Sequence, residues 1–289
     1  MILSDNHRGA LYMTGSMAGF AVEDVFVKAA ARVMPLGQIL LLMGIVGVAV
    51  FALMAKARGE AVAPRAFVAP AMLVRSAFEV VGRLFYGLSI ALTALSTTSA
   101  ILQATPLVVV AAAALFFGEK VGWQRWLAVI VGFVGVLVIL RPGVEGFSAL
   151  SLLAVVGLLG FAGRDLATRA APRGLSNRQL GILGFAMLAT AGAILLAWSG
   201  GAVVPDLHGL ALLAGGSVFG ILGYHALTGA MRTGEVSLVT PFRYTRLVFA
   251  MILAMAIFGE RPDAATWAGA ALVVASGIYT LTRSRAQTR

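Results

Sequence analysis

Nine ionisable side chains fall inside long apolar stretches of this sequence: the acids Glu23, Asp24, Glu79 and Asp165, and the bases Arg75, Arg83, Arg164, Arg243 and Arg246. If those stretches cross a bilayer, a charge at mid-depth costs at least about 2.5–3.5 kcal/mol, so each must find a partner or a wet cavity. Arg75, Glu79 and Arg83 recur every four residues, which puts them on one helix face as a ladder of alternating sign. Mutual pairing accounts for that ladder better than substrate contact does. Arg243 and Arg246 are three apart and share a face, with Tyr244 between them. Two guanidiniums so placed attract a carboxylate or a phosphate unless neighbours neutralise them; Arg243, early in its helix, could also snorkel to water. Glu23 and Asp24 point about 100° apart on a helix, so one can face a cavity while the other pairs. One of these carboxylates could take up and release a proton.

Other polar and aromatic groups lie in the same stretches. Phe20, Phe78, Phe85, Tyr86, Phe161, Tyr224 and Tyr244 are cavity candidates, although most aromatics in a membrane bundle pack or anchor. Thr97, Thr98, Ser99, Gln103 and Thr105 make one stretch polar just ahead of Pro106, whose missing N–H frees a carbonyl near mid-membrane. His225 reads as a hydrogen-bonded bundle residue more readily than as a proton relay. The candidate substrate-binding set is therefore Glu23, Asp24, Glu79, Arg83, Tyr86, Gln103, Arg164, Asp165, Tyr224, Arg243, Tyr244 and Arg246. Catalysis finds little support. The three histidines are scattered, no cysteine exists, and clustered metal ligands are lacking. No G-x-S-x-G elbow and no ATP-binding G-x-x-x-x-G-K-[ST] loop occurs, so no cofactor or metal is expected.

The elements that hold these groups follow from composition. Of 289 residues, 60% are hydrophobic and 12% charged, against roughly 25% charged in soluble domains, and mean hydropathy is +0.94. About 20 apolar residues cross a bilayer core. Ten such spans fit: Ala10–Ala31, Leu36–Ala55, Phe67–Leu92, Leu95–Phe117, Trp123–Leu140, Ser148–Thr168, Ser176–Ser199, His208–Met231, Val236–Phe258 and Ala264–Thr282. Polar residues at the start, with Glu23, Asp24 and Lys28 in the first apolar stretch, argue against a cleaved signal peptide. The net charge of +10 suggests topology and not nucleic acid, because the bases sit in short connections. With the N-terminus in the cytoplasm, thirteen Lys and Arg fall on the cytoplasmic side and four (Lys28, Arg32, Arg141, Arg261) on the other. That bias predicts an inner-membrane protein with both termini cytoplasmic.

The chain also repeats itself. GFAVEDVFVKAA from Gly19 and GFAGRDLATRAA from Gly160 agree at six of twelve positions, setting Asp24 against Asp165, Glu23 against Arg164 and Lys28 against Arg169. At nearly the same offset, Phe117-Gly118-Glu119 matches Phe258-Gly259-Glu260, and Phe85-Tyr86-Gly87-Leu88 matches Tyr224-His225-Ala226-Leu227. The units are 1–141 and 142–289. Each holds five spans, an odd number, so the second must enter the membrane upside down. Glu23 opposite Arg164 suggests an ion pair across the pseudo-two-fold axis. Glu119 and Glu260, after glycines at helix ends, are expected to cap or pair at the interface. Gly15 with Gly19, and Gly216 with Gly220, predict close helix approach.

The order and spacing of RGALYM, ILQATPLVV ending in GE, the fifth span running to Gly135, and TPFRYTRLVFA followed by FGERPD resemble the drug/metabolite transporter superfamily, in particular its EamA-type members. The resemblance covers nearly the whole chain and implies an all-α fold of ten transmembrane helices in two inverted five-helix repeats. It further implies a central cavity lined by spans one, three, four, six, eight and nine. Leu247 stands where Pro106 has its repeat mate, and the second unit carries Pro241 earlier. The leading expectation is a secondary, ATP-independent transporter of a small carboxylate-bearing or zwitterionic metabolite. By resemblance, amino-acid export is its foremost case. Uptake of a larger nucleoside-like or vitamin compound stacked on aromatics is the alternative, and an intramembrane enzyme or a passive channel lies further off. The implied partners are a small-molecule substrate, membrane lipid and a coupled proton; the sequence does not choose between monomer and homodimer.

Overall fold

The computed structural model describes residues 5–118, 122–141, 148–168, 172, 174–233 and 239–283. Glu119, Lys120, Arg169, Arg173, Arg285 and Arg289, which enter the charge and repeat arguments above, lie outside them, as do the side chains of Arg125, Arg232 and Arg283. The described helices are α1 (Asp5–Ala30), α2 (Leu36–Lys56), α3 (Pro70–Leu92), α4 (Leu95–Leu102), α5 (Thr105–Phe117), α6 (Trp123–Leu140), α7 (Leu152–Thr168), α8 (Asn177–Ser199), α9 (Leu207–Thr233), α10 (Thr245–Phe258) and α11 (Ala264–Arg283). Short 3-10 turns precede three of them, at Arg65–Val68 before α3, Ala149–Ser151 before α7 and Thr240–Tyr244 before α10. Six segments are long and apolar enough to cross a membrane: α2, α4 with α5, α7, α8, α9, and α10 with its 3-10 turn. Two shorter apolar helices lie within α6 and α11. The remaining long helices, α1 and α3, carry most of the acidic charge predicted to lie at depth, Glu23, Asp24 and Glu79.

Two expectations about the spans change. The first helix is already formed at Asp5 and does not wait until Ala10, so the polar residues from Asp5 to Arg8 belong to it. The fourth span is two helices, broken at Gln103 and Ala104 ahead of Pro106. Proline lacks the N–H that would bond the Leu102 carbonyl, and the Thr105 hydroxyl supplies the missing donor at 2.6 Å. The ninth span changes from 3-10 to α at the corresponding place, where the Thr245 hydroxyl donates to the Phe242 carbonyl at 2.7 Å. Pro106 and Pro241 thus sit at different positions, while the two spans change helix type at matching repeat positions. Both spans also end alike. Gly118 and Gly259 take left-handed φ of 65° and return their N–H groups to Ala113 and Ala254, a helix stop that glycine makes without Cβ strain.

Inversion of the halves shows in the packing. The principal helix pairs are α1 with α9, α3 with α7, α2 with α8, and α6 with α11. A rotation exchanging the two units maps the first pair onto the second and each of the others onto itself. The chain is therefore an all-α membrane fold of ten spans in two inverted five-helix repeats. Small residues permit the closest crossings. A Cβ on Gly160 of α7 would come within 2.4 Å of the Gly82 nitrogen on α3, and Gly19 of α1 faces Gly223 of α9. Gly220 packs against Glu23 and Gly216 against Met43 and Phe26, whereas Gly15 faces open space and makes no such approach.

These pairs assemble into two walls. Helices α1, α9 and α10 form one; α3, α7 and the broken span α4–α5 form the other. Each wall mixes helices from both repeats.

At the helix ends, side chains bind one repeat to the other. Gln38, in the first turn of α2, donates to the Val203 carbonyl at 2.7 Å and accepts from the Val203 N–H at 3.0 Å. Its repeat mate Gln179, in the first turn of α8, completes a capping box with Ser176 and donates to the Ala61 carbonyl at 2.9 Å. Next to it, Glu60 accepts from Ser176 Oγ at 2.6 Å and from the Arg178 guanidinium. These donors lower the Glu60 carboxyl from 4.5 to about 2. A depressed acid stabilises the fold fully above its unfolded pKa and loses that contribution as pH falls toward the folded one. The thermal-stability gap between wild type and Glu60→Gln, measured in detergent, is therefore expected to shrink on acidification from about pH 6 to about pH 3. A gap that stays constant over this range would rule out the carboxylate as its source.

Candidate functional site: a charged central cavity

Between the two walls lies a cavity of about 360 Å³. Of the twelve candidate binding residues, eleven line it: Glu23, Asp24, Arg83, Tyr86, Gln103, Arg164, Asp165, Tyr224, Arg243, Tyr244 and Arg246. Their helices are spans one, three, four, six, eight and nine, with single contributions from Leu40 and Leu188.

The twelfth candidate, Glu79, does not line the cavity. It is fully buried behind the wall, 2.9 Å from Arg75 Nη1, 3.7 Å from Arg83 Nη2 and 3.7 Å from Arg164 Nη1. Three cations around one acid make the helix-three ladder a structural hub, and the seventh helix shares it through Arg164. Neither Glu79 oxygen meets an aligned hydrogen bond, so the hub is held by charge more than by directional bonding.

On the α1–α10 wall, Arg246 Nη2 donates to Asp24 Oδ2 at 2.7 Å. The Tyr86 hydroxyl, reaching over from α3, donates to the same oxygen at 2.9 Å and accepts from Arg246 at 3.2 Å. The Arg246 guanidinium lies between the faces of Phe20 and Tyr86, 5.3 and 5.4 Å from their centroids, where ring quadrupoles add attraction. On the opposite wall, Arg164 bonds its neighbour Asp165 at 2.8 and 3.0 Å and stacks on Phe161 at 4.9 Å. The ion pair expected between Glu23 and Arg164 is not formed. The repeat-mate acids explain why: Asp24 meets a cation from the ninth span, whereas the fourth span has no arginine to offer Asp165, which takes Arg164 instead.

Two charged groups are left over. Arg243 has no ion pair among the described residues, and only its backbone carbonyl is engaged, by Gln103 at 3.3 Å. It lines the cavity instead of snorkelling to the interface. Glu23 likewise has no hydrogen bond or ion pair among the described residues, and it rests against Gly220, where a Cβ would come within 2.8 Å of its carboxylate. Among the described residues neither touches an opposite charge directly, although Asp165 acts on Arg243, and Arg83 and Arg246 act on Glu23, across the cavity.

Other candidates divide. Phe20 and Phe161 line the cavity, but Phe78 packs over Gly163 and Phe85 does not reach it. His225 faces outward and is exposed. Of the polar run in span four, Gln103 and Thr105 line the cavity; Thr98 instead joins Ser89 and Thr93 in a hydroxyl cluster at 2.7–2.8 Å. Two charged groups outside the predicted set, Lys28 and Glu60, hold helix ends together across the bundle. The Ser176-x-x-Gln179 capping signature flanking an apolar run was the available sign for the Glu60 end.

Comparison with known proteins decides the family. The description "EamA-like transporter family" matches residues 7–141 and again 148–282. The chain belongs to the EamA-like transporter family. A Pseudomonas aeruginosa protein named pseudopaline exporter CntI is 29% identical over 281 residues, 96% of this chain and 97% of that one. A Rickettsia bellii S-adenosylmethionine uptake transporter is 31% identical over 194 residues, 67% of this chain, and the match spans only 65% of that relative's length. One solved crystal structure superposes with a TM-score of 0.65 at 19% identity, covering 94% of this chain and 97% of that one; it shares the fold. This EamA-family chain is thus a multi-pass membrane protein of a transporter family.

Proposed function

We propose that this EamA-family protein is a secondary carrier for an amino-acid-type metabolite bearing a carboxylate, moved by alternating access across the inner membrane with both termini cytoplasmic. The observation that carries the reading is the pair of unmatched charges in one cavity. Arg243 offers a fork of donors suited to a carboxylate, and Glu23 offers an acceptor for an ammonium group or a proton. Among the other cavity charges, Asp24 pairs with Arg246 and Asp165 with Arg164, and Arg83 shares Glu79 with Arg75 and Arg164, so a zwitterion would give Arg243 and Glu23 the direct partners they lack. A cavity of about 360 Å³ falls within the usual 300–1,000 Å³ range of ligand sites and exceeds the needs of a plain amino acid. With Phe20, Tyr86, Phe161 and Tyr224 on its walls, it favours a derivative with a bulky or aromatic portion. The relatives named for S-adenosylmethionine uptake and pseudopaline export support a substrate larger than a simple amino acid. Export is the direction we assign, driven by the substrate gradient or by protons through Glu23.

The test is a thermal-shift screen of purified protein, followed by counterflow in proteoliposomes. A ligand at about 100 times its Kd stabilises the folded state by about 2.7 kcal/mol. Amino-acid derivatives with a free carboxylate are expected to raise the melting temperature and to exchange across the bilayer, while their methyl esters do neither. Stabilisation by neutral nucleosides or flavins alone would reject the carboxylate reading.

A further inference from the structure

Beyond the cavity, at the end bounded by Val27 and Ile90, a second set of charges joins the two walls. Lys28, the last basic residue of α1, donates from Nζ to the Ile90 carbonyl at 3.2 Å and to the Thr93 carbonyl. It also lies 3.7 Å from Glu260 Oε1. Glu260 in turn accepts from the Leu95 N–H at 2.7 Å, the Ser96 N–H at 3.0 Å and the Ser96 hydroxyl at 2.7 Å. Both side chains are largely enclosed, 12% and 13% exposed. Lys28 and Glu260 belong to the α1–α10 wall, and all their other partners belong to the end of α3 and the start of α4. Phe258 closes the cluster, with Lys28 at 5.5 Å and Arg32 at 5.1 Å from its ring centre.

We propose that Lys28 and Glu260 are the gating residues at this end of the transport path, a clamp that must open for the cavity to be reached from the face bearing the loop Gly259–Asp263. The proposal rests on the carrier reading but not on the substrate's identity. Its physical basis is the nature of the bonds. Most are made to backbone groups that α3 leaves unsatisfied at its C-terminus and α4 at its N-terminus, and water can satisfy those groups when the clamp parts. A cluster of this kind can be strong when dry yet open at modest cost when wetted. A packed apolar plug of the same area would have to expose its surface outright. Glu260 also holds the first turn of α4, the short helix that Gln103 caps, so opening the clamp releases one rim of the cavity.

The chain has no cysteine, so a single introduced thiol reports without background. Ile90→Cys places it on the cavity wall beside the clamp, and Arg261→Cys, in a separate sample, marks the face in question. Labelling by a membrane-impermeant thiol reagent is measured in sealed vesicles of both orientations. In the I90C background, K28M and E260Q are each expected to speed labelling from the marked face by at least about tenfold, while K28R, which keeps the donors, stays within about twofold of I90C alone. Unchanged rates in K28M and E260Q, or an equal rise from both faces, would overturn the clamp. Because labelling needs no substrate, this result is independent of the counterflow test, whose failure alone would count only against the proposed cargo.

Discussion

A Glu79→Ala variant is expected to be lost from the membrane or to melt far below the wild type, although Glu79 does not line the cavity. Its removal would leave Arg75, Arg83 and Arg164, 7%, 18% and 20% exposed, around a site with no negative charge of its own. Removing one partner of a buried ion pair costs about 3–5 kcal/mol, because the remaining charge is stranded, and here Arg75 and Arg83 are stranded together while Arg164 keeps only Asp165. Folded proteins hold only about 5–15 kcal/mol in reserve. Glu79→Gln keeps the shape and loses the charge, so it should fall between alanine and wild type. Glu79→Asp keeps the charge and should retain most of the stability. Purified yield and melting temperature in detergent are the readouts. A Glu79→Ala protein melting within a few degrees of wild type would show that the arginines find other compensation, and the hub as described would be wrong.

The contrary pattern is expected at Arg243. Its guanidinium has no acidic partner within ion-pair distance among the described residues, so Arg243→Ala strands nothing and should leave the melting temperature unchanged or raised. Transport should suffer instead. A hydrogen bond to a charged group contributes about 1.5–3 kcal/mol, which corresponds to about a 10- to 150-fold loss in apparent affinity for a carboxylate substrate. Arg243→Lys keeps a point charge without the planar fork and should recover part of the loss. Proteoliposome uptake at several substrate concentrations separates a raised half-saturation from a lowered maximal rate, and the first is expected. Arg243→Ala transporting a carboxylate substrate at wild-type affinity would move the anion site elsewhere in the cavity.

The contrast between these two arginine environments indicates what could be read before any coordinates. The span pattern, the upside-down repeat and the four-residue ladder of Arg75, Glu79 and Arg83 all follow from local periodicity, and periodicity survives folding. The set of residues facing the cavity was also largely legible, because charge and proline at mid-membrane depth have few tolerable surroundings. Partner choice was not legible. Glu23 and Arg164 occupy matching repeat positions, yet each is positioned by its own span, and Asp24 met Arg246 because the ninth span carries arginine where the fourth carries Thr105 and Pro106. Nor could hydropathy show that His225 turns outward or that Phe78 fills the space over Gly163. Such outcomes depend on helix rotation, which a few small residues at the crossings decide.

The mixed composition of the walls has one more consequence. Since α1 leans on α9 and α10, and α7 on α3 and the broken fourth span, neither half of the polypeptide encloses anything by itself. Each lends one helix to a surface that the other mostly builds. Duplication in this architecture is therefore interlocked and not side by side, and one five-helix unit could form a compartment only by finding a twin inserted head-down beside it.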